Sequence, residues 1–210
     1  MRTRIKVCGI TSAEDARTAF DLGADFVGLI LTESPRKLSL EQASAIRDSL
    51  PPEAPVVGVF ASEPPEQVLP MARALSLAAV QVAGWLEREE IDPFDVWHVI
   101  RGEALPDPTT LPMVPLRTYH LDAYDPVRAG GTGKLADWKW AESAVQVGRR
   151  IIVAGGLNPD NVATLVRDVR PFGVDASSGL ESAPGKKSAE KIRAFMERVR
   201  AVDQTRPKRS

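Results

Sequence analysis

The sequence predicts an α/β protein folded as a single (β/α)8 TIM barrel, and three observations predict it. Short β-type runs alternate with helical patterns along the whole chain, the mark of parallel βαβ units. Eight such runs can be counted in 210 residues, the compact end of the barrel range. Runs such as 26–31, FVGLIL, are apolar almost without interruption, as strands buried on both faces must be. A doubly wound open sheet is the competing architecture. It needs fewer strands and an early G-x-G-x-x-G turn, which Cys8-Gly9 does not supply.

Taken in order, Arg4 to Cys8 reads as the first strand. Thr11 with Glu14 three residues on forms a capping-box pattern, and Ala13, Ala16 and Phe20 give a short helix that stops at Gly23. The run 26–31 is the second strand, followed by a loop at Ser34-Pro35-Arg36. Ser39 and Gln42 form another capping box, Ala43, Ile46 and Leu50 the apolar face behind it, and Pro51-Pro52 the stop. Val56 to Phe60 is strand three. The helix carrying Val68, Ala72 and Leu75 contains Pro70, which should kink it or delay its start. Ala78 to Val82 is strand four, Gly84 turns the chain into the charged stretch Glu87 to Glu90, and Val96 to Ile100 is strand five. Pro106, Pro108, Pro112 and Pro115 then crowd one connection, so the fifth crossover helix is expected to be irregular or missing.

Arg117 to Asp122 reads as strand six, and Gly130-Gly131-Thr132-Gly133-Lys134 as a glycine-rich loop before a helix around Trp138 to Val147. Arg150 to Ala154 is strand seven and runs into Gly155-Gly156. Asn158 caps the next helix with Pro159 in its first position, and Val162, Leu165, Val166 and Val169 repeat at helical spacing. Phe172 to Asp175 is strand eight. Ser188 opens the last helix, whose apolar face is Ile192, Phe195, Met196 and Val199. The barrel is assigned to residues 1–202, and 203–210 to a polar, flexible tail.

Composition limits what such a barrel handles. With 27 basic and 28 acidic residues the formal charge is −1, so neither nucleic acid nor a membrane surface is an expected partner. No apolar run approaches about 18 residues and no apolar targeting segment follows Met1, which points to a soluble cytoplasmic protein. A single cysteine forms no internal disulfide, and Cys8, His98 and His120 have no metal-ligand spacing. No metal or other cofactor is expected.

In a barrel, the ends of all eight strands meet on one face, which makes neighbours of Cys8, Asp122, Gly155-Gly156 and the segment 175–179, DASSG. Barrels often hold a phosphate on the loops after strands seven and eight, where unpaired backbone amides point outward. Gly155 and Gly156 let the backbone approach such a group, and Ser177, Ser178 and Gly179 do the same and add hydroxyl donors. Either segment alone reads as a tight turn; both after the last two strands read as a site for a phosphorylated small molecule. Cys8 and Asp122 are the candidate base and acid, because a thiolate can take a proton from carbon and a carboxylic acid can give one to a leaving oxygen. For Cys8 alone the competing reading is a small buried hydrophobe. Asp125 competes with Asp122, although its place before Pro126 suits a turn. Lys6 shares the face of Cys8 and either helps the thiol ionise or forms an ion pair in the barrel wall. His98 and His120 read as core histidines.

The motifs carrying these residues resemble the phosphoribosylanthranilate isomerases of tryptophan biosynthesis. They are Lys6-Val7-Cys8-Gly9-Ile10-Thr11, Ser34-Pro35-Arg36, the glycine-rich 130–134 loop before Asp137-Trp138, Ala154 to Pro159, and Val174 to Glu181 with 184–187, PGKK. The resemblance spans Lys6 to about Phe195, with the motifs in the family's order. It implies one (β/α)8 barrel, an Amadori rearrangement without metal or organic cofactor, and a monomer or homodimer. By the same resemblance Asp122 protonates the furanose ring oxygen, Cys8 takes the C2 proton and Arg36 meets the anthranilate carboxylate. Asp175 positions the substrate, and Gly155, Gly156, Ser177, Ser178 and Gly179 cradle the phosphate.

The chain departs from that pattern in two places. Ala83 stands where many members have histidine, and strand two ends in Leu29-Ile30-Leu31 where aromatic residues are usual. The rival enzyme readings are the related sugar isomerase of histidine biosynthesis, which carries aspartate where this chain has Cys8, and a dual-specificity relative. The rival of another class is a non-catalytic barrel that binds a phosphorylated ligand.

Overall fold

Eight parallel strands, each hydrogen-bonded to the next in sequence, close on themselves when β8 pairs with β1 in a computed structural model of the chain. The structure describes residues 2–61, 63–83, 94–113, 117–123 and 135–205. The strands are β1 Arg4–Cys8, β2 Phe26–Ile30, β3 Val56–Phe60, β4 Ala79–Val82, β5 Asp95–Ile100, β6 Thr118–Leu121, β7 Arg150–Val153 and β8 Gly173–Ala176. Outside them lie α1 Ala13–Asp21, α2 Leu40–Asp48, α3 Pro65–Ala74, α4 Trp138–Gln146, α5 Val162–Val169 and α6 Ala189–Thr205. A hairpin of β9 Glu181–Ala183 and β10 Lys186–Lys187, absent from the strand count above, follows β8. Among the described residues no helix is long and apolar enough to cross a membrane.

The alternation of each strand sorts its side chains. Outward residues such as Val7, Val27, Leu29 and Val153 are fully buried against the helices in the main apolar shell. Inward residues stack in layers. At the lower end Val57, Ala79, Trp97 and Ile152 form a second cluster with Phe26 and Phe172, and Phe26 meets Trp97 edge-on at 5.0 Å. Below it, Asp25 accepts hydrogen bonds from Arg2, Arg4, Arg200 and the Ile5 amide, which ties the start of β1 to α6.

The fifth crossover has no α-helix among its described residues, only a 3-10 turn at Pro108–Thr110. Its backbone is held by donors from neighbouring elements. Trp140 Nε1 reaches the Pro106 carbonyl at 2.7 Å, Arg149 those of Pro108 and Thr109 at 3.1 and 2.9 Å, and the Tyr119 hydroxyl that of Pro112 at 2.8 Å.

Four local expectations are corrected. The α1 cap is Ser12, whose hydroxyl accepts from the Asp15 amide, while the Thr11 hydroxyl donates to the Gly185 carbonyl. Helix α5 starts at Val162, not after Asn158. Asn158 accepts from the Asp160 amide and Asn161 from the Asn158 amide, so side-chain turns occupy 158–161 before the regular helix begins. Pro70 does not delay α3, which starts at Pro65 and carries Pro70 within it; Pro64 and Pro65 fix the extended-to-helical entry upstream. Helix α6 runs to Thr205, past the expected end of the barrel, and Asp203 anchors it by accepting from the Thr3 amide and hydroxyl. Gly84 with the 87–90 stretch, the 130–134 loop, Asp125 and residues 206–210 lie outside the described residues.

Candidate active site

Above the apolar floor, the barrel interior turns polar. Lys6 points inward from β1, and its ammonium meets Asp175 Oδ2 at 2.7 Å and Gln81 Oε1 at 3.0 Å. His120, inward from β6, places Nε2 2.8 Å from the same Asp175 oxygen. All four side chains are buried. Gly28 makes room for the cluster: a methyl group there would stand 2.8 Å from Cys8 Sγ and 3.0 and 3.1 Å from Lys6 Cε and Nζ. The lysine amine and the cysteine sulfur therefore fill the space that a side chain on β2 would take.

This cluster sets the charge of its members. Burial works against the Asp175 carboxylate, but the Lys6 charge and the His120 hydrogen bond overcome it and hold the group below the usual carboxylate range. Burial likewise disfavours the Lys6 ammonium, and Asp175 and Cys8 more than restore it. Asp175 Oδ1 and His120 Nδ1 are buried and have no partner among the described residues. Both residues line the cavity directly above, so these two atoms are open hydrogen-bonding positions at its base.

Cys8 and Asp122 lie one inward position higher on β1 and just beyond β6. They share a cavity of about 180 Å³ at the C-terminal end of the strands. Burial pushes the Cys8 thiol up, and the nearby Lys6 ammonium opposes that push. Burial also pushes the Asp122 carboxyl up, against the field of His120 and a 2.8 Å hydrogen bond from the Ala123 amide to Oδ1. The carboxyl is thus inclined to keep its proton, and the thiol also stays above its ordinary range because burial outweighs the one adjacent cation that favours its ionised form.

The late loops form one side of the same cavity, with Gly155, Gly156, Leu157, Ser177 and Ser178 in its wall. Gly155 has φ +79° and Gly156 φ +63°, a left-handed pair open to glycine, and a Cβ on Gly155 would lie 2.5 Å from Ala123 Cβ. Gly179 is outside the cavity wall. A Cβ there would stand 2.0 Å from the Leu157 carbonyl oxygen, so its role is to let the loops after β7 and β8 touch. The helical N-terminus expected beside Gly156 is displaced by the 158–161 turns, and a 3-10 turn, Ser178–Leu180, follows β8.

Arg36 lines the rim beside the Ser177 loop but is not free. Its Nε and Nη2 donate to the two oxygens of Glu181 at 2.6 and 2.7 Å, and Lys187 Nζ reaches Glu181 Oε1 at 2.9 Å. Burial opposes the Glu181 charge, yet the hydrogen bonds from Arg36 and Lys187 bring its pKa down to about 2. Sequence reasoning placed Cys8, Asp122, Asp175, Arg36, Gly155, Gly156, Ser177 and Ser178 around one cavity, and the structure brings them there. It missed Gln81, Glu181 and Lys187 as site residues and treated His120 as core. Inward parity on β4 and β6 is the signal that could have found Gln81 and His120. Ala83, at the position where many members of the resembled family have histidine, lines the cavity, as do Val59, Val99 and Arg101.

Residues 5–198 match the family model described as N-(5'phosphoribosyl)anthranilate (PRA) isomerase. The chain is 43% identical over 199 residues to the N-(5'-phosphoribosyl)anthranilate isomerase of Trichlorobacter lovleyi, covering 92% of this chain and 96% of that one. Among solved structures, phosphoribosyl anthranilate isomerase from Thermus thermophilus superposes with a TM-score of 0.84 at 36% identity, over 95% of this chain and all of that one (100%). A phosphoribosyl anthranilate isomerase in complex with reduced 1-(o-carboxyphenylamino)-1-deoxyribulose 5-phosphate superposes with a TM-score of 0.79 at 32% identity, over 95% and 99% of the two chains.

Proposed function

The chain belongs to the N-(5'-phosphoribosyl)anthranilate isomerase family, an isomerase of tryptophan biosynthesis, and from that premise we propose the roles of its residues. Asp122 gives its proton to the furanose ring oxygen, and the C1–O bond breaks to leave an open-chain Schiff base. Cys8, as thiolate, removes the proton from C2, and the electron pair moves toward nitrogen to give an enolamine. The enolamine becomes the 1-deoxyribulose product as its C2 hydroxyl gives up a proton to form the C2 carbonyl and C1 takes one up. Two protons are taken up, at the ring oxygen and at C1, and two are released, from C2 and from the C2 hydroxyl, so the rearrangement is balanced without an oxidant or a cofactor.

The observation that carries this reading is the shared cavity in which a buried carboxyl and a cysteine beside a lysine face each other above an ionised Asp175. Asp175 Oδ1, the open acceptor at the cavity base, takes a hydrogen bond from a sugar hydroxyl. The phosphate lies on Gly155, Gly156, Ser177 and Ser178, with Gly179 joining the two loops. Arg36 receives the anthranilate carboxylate. Cysteine at the β1 position, rather than aspartate, weighs against the histidine-pathway isomerase, and a cytoplasmic location suits a pathway of small phosphorylated intermediates.

The test is loss of anthranilate fluorescence when purified protein meets phosphoribosylanthranilate. Cys8→Ala and Asp122→Asn should each lower kcat by about 10²–10⁴-fold, the range of a single acid-base group. Normal turnover in Cys8→Ala would remove it as the base. The histidine-pathway substrate should give no turnover.

A further inference from the structure

We propose that Glu181, held by Lys187, is a positioning residue that sets Arg36 to receive the substrate carboxylate; this rests on the role proposed above for Arg36. A guanidinium has two edges that can grip a carboxylate in parallel, Nε with Nη2 and Nη1 with Nη2. Glu181 occupies the first, at 2.6 and 2.7 Å. The second edge, Nη1 and the outer hydrogen of Nη2, remains for a ligand.

The clamp joins the loop after β2 to the hairpin that follows β8. Arg36 comes from the loop after β2, Glu181 from the start of β9 and Lys187 from the end of β10. The arginine stem passes over Gly9, where a Cβ would stand 2.6 Å from Arg36 Cδ and 2.7 Å from Ser177 Oγ. The guanidinium is therefore carried over the residue next to Cys8 and beside the loop assigned to the phosphate. Lys187 Nζ also donates to the Ser177 carbonyl at 3.2 Å, so one ammonium fixes both Glu181 and that loop. Fixing the guanidinium plane before the ligand arrives removes an ordering cost from binding.

Charge makes the second half of the argument. Arg36 and Glu181 alone form a neutral pair, which offers a carboxylate little attraction. Lys187, with a side chain 1% exposed, brings the trio to +1. The trio attracts an anion while Glu181 keeps the arginine from swinging away with it.

The experiment compares two substrates on each protein: N-(5-phosphoribosyl)anthranilate and N-(5-phosphoribosyl)aniline, which lacks only the carboxylate, with product measured by chromatography. The readout is the ratio of their kcat/KM values. In Glu181→Gln this ratio should fall by about tenfold, mostly through a higher KM for the carboxylate-bearing substrate, the size of one charge-assisted hydrogen bond. Lys187→Met should lower the ratio in the same direction. Equal losses on both substrates, or an unchanged ratio, overturn the proposal, because a merely structural carboxylate would weaken both alike. Glu181→Asp, which keeps the charge but draws it back by one methylene, gives the same comparison if Glu181→Gln does not fold. Loss of fold in both variants also overturns it. If the parent protein itself shows no preference for the carboxylate, the role assigned to Arg36 has failed, a result distinct from any seen only in the variants.

Discussion

Lys6 and Asp175 are register partners across the seam where β8 closes onto β1, and their side chains meet at 2.7 Å almost without exposure. The barrel thus closes on an ion pair beneath Cys8 and Asp122, the proposed base and acid. Removing one member leaves the other buried and short of a partner. Lys6→Met should cost about 3–5 kcal/mol of unfolding free energy, read by urea titration. The double variant Lys6→Met with Asp175→Asn should recover part of that loss. Full stability in the single variant would show that Asp175 does not depend on Lys6.

With Asp122 as the proposed acid and Cys8 as the proposed base, the two together set the pH profile. The working form carries one proton, on Asp122 and off Cys8. Burial raises Asp122 above its ordinary 3.8 and Cys8 above its ordinary 9.0. As pH rises, kcat/KM should climb through the Asp122 titration as the pair sheds its first proton, hold level, then fall through the Cys8 titration as it loses the second. The phosphate's own ionisation near about 6 is removed by titrating the substrate. In Asp122→Asn the residual activity should instead rise with pH through the Cys8 titration. A falling alkaline limb retained in that variant would contradict the assignment.

Gly28 gives a steric test. An added methyl would lie 2.8 Å from Cys8 Sγ, so the sulfur or the lysine must move. Gly28→Ala should reduce kcat by about 10–100-fold with a much smaller change in KM, since displacement of a reacting group by about 1 Å is costly. Steady-state kinetics of the folded variant separate the two constants.

Asp25, at the far end of the barrel, isolates stability from chemistry. Asp25→Ala orphans the buried Ile5 amide and takes one partner from each of three arginines, and should cost about 2–4 kcal/mol in urea unfolding. Its kcat and KM at 25 °C should match the parent.

Glu181 should shape acid unfolding. Its carboxyl titrates near 4.5 when unexceptional and at about 2 in the fold, so the stability it contributes is complete above 4.5 and drains away as pH falls toward about 2. The stability gap between the parent and Glu181→Gln should therefore shrink over that window. A gap that stays constant down to pH 2 would contradict the pairing.

Much of this arrangement was legible in the residues. The eight strands follow from apolar runs and spacing, and their order brings Cys8, Asp122 and the late glycines together once the barrel closes. Strand ends moved by a residue or so, because ladder pairing rather than composition decides where a strand stops. Helix starts were less secure, as Thr11 and Asn158 show. Both are good caps by type, but each found another partner, Thr11 the Gly185 carbonyl 174 residues away and Asn158 the nearby Asp160 amide. The Arg36–Glu181–Lys187 trio was illegible for a similar reason. Its members span 151 positions of sequence, from 36 to 187, and meet only because the β9–β10 hairpin folds back over the rim.

The fifth crossover was expected to lack regular helix, and its manner of attachment has an evolutionary consequence. Among its described residues, the carbonyls of Pro106, Pro108, Thr109 and Pro112 accept from the side chains of Tyr119, Trp140 and Arg149, and Leu105 and Leu111 pack against the apolar shell. Side chains other than these two leucines are therefore nearly free to drift, and lineages should differ there while keeping the three donors. It is also the natural place to splice a foreign peptide into this barrel, because apart from two leucine positions the receiving surface recognises a backbone and not a sequence.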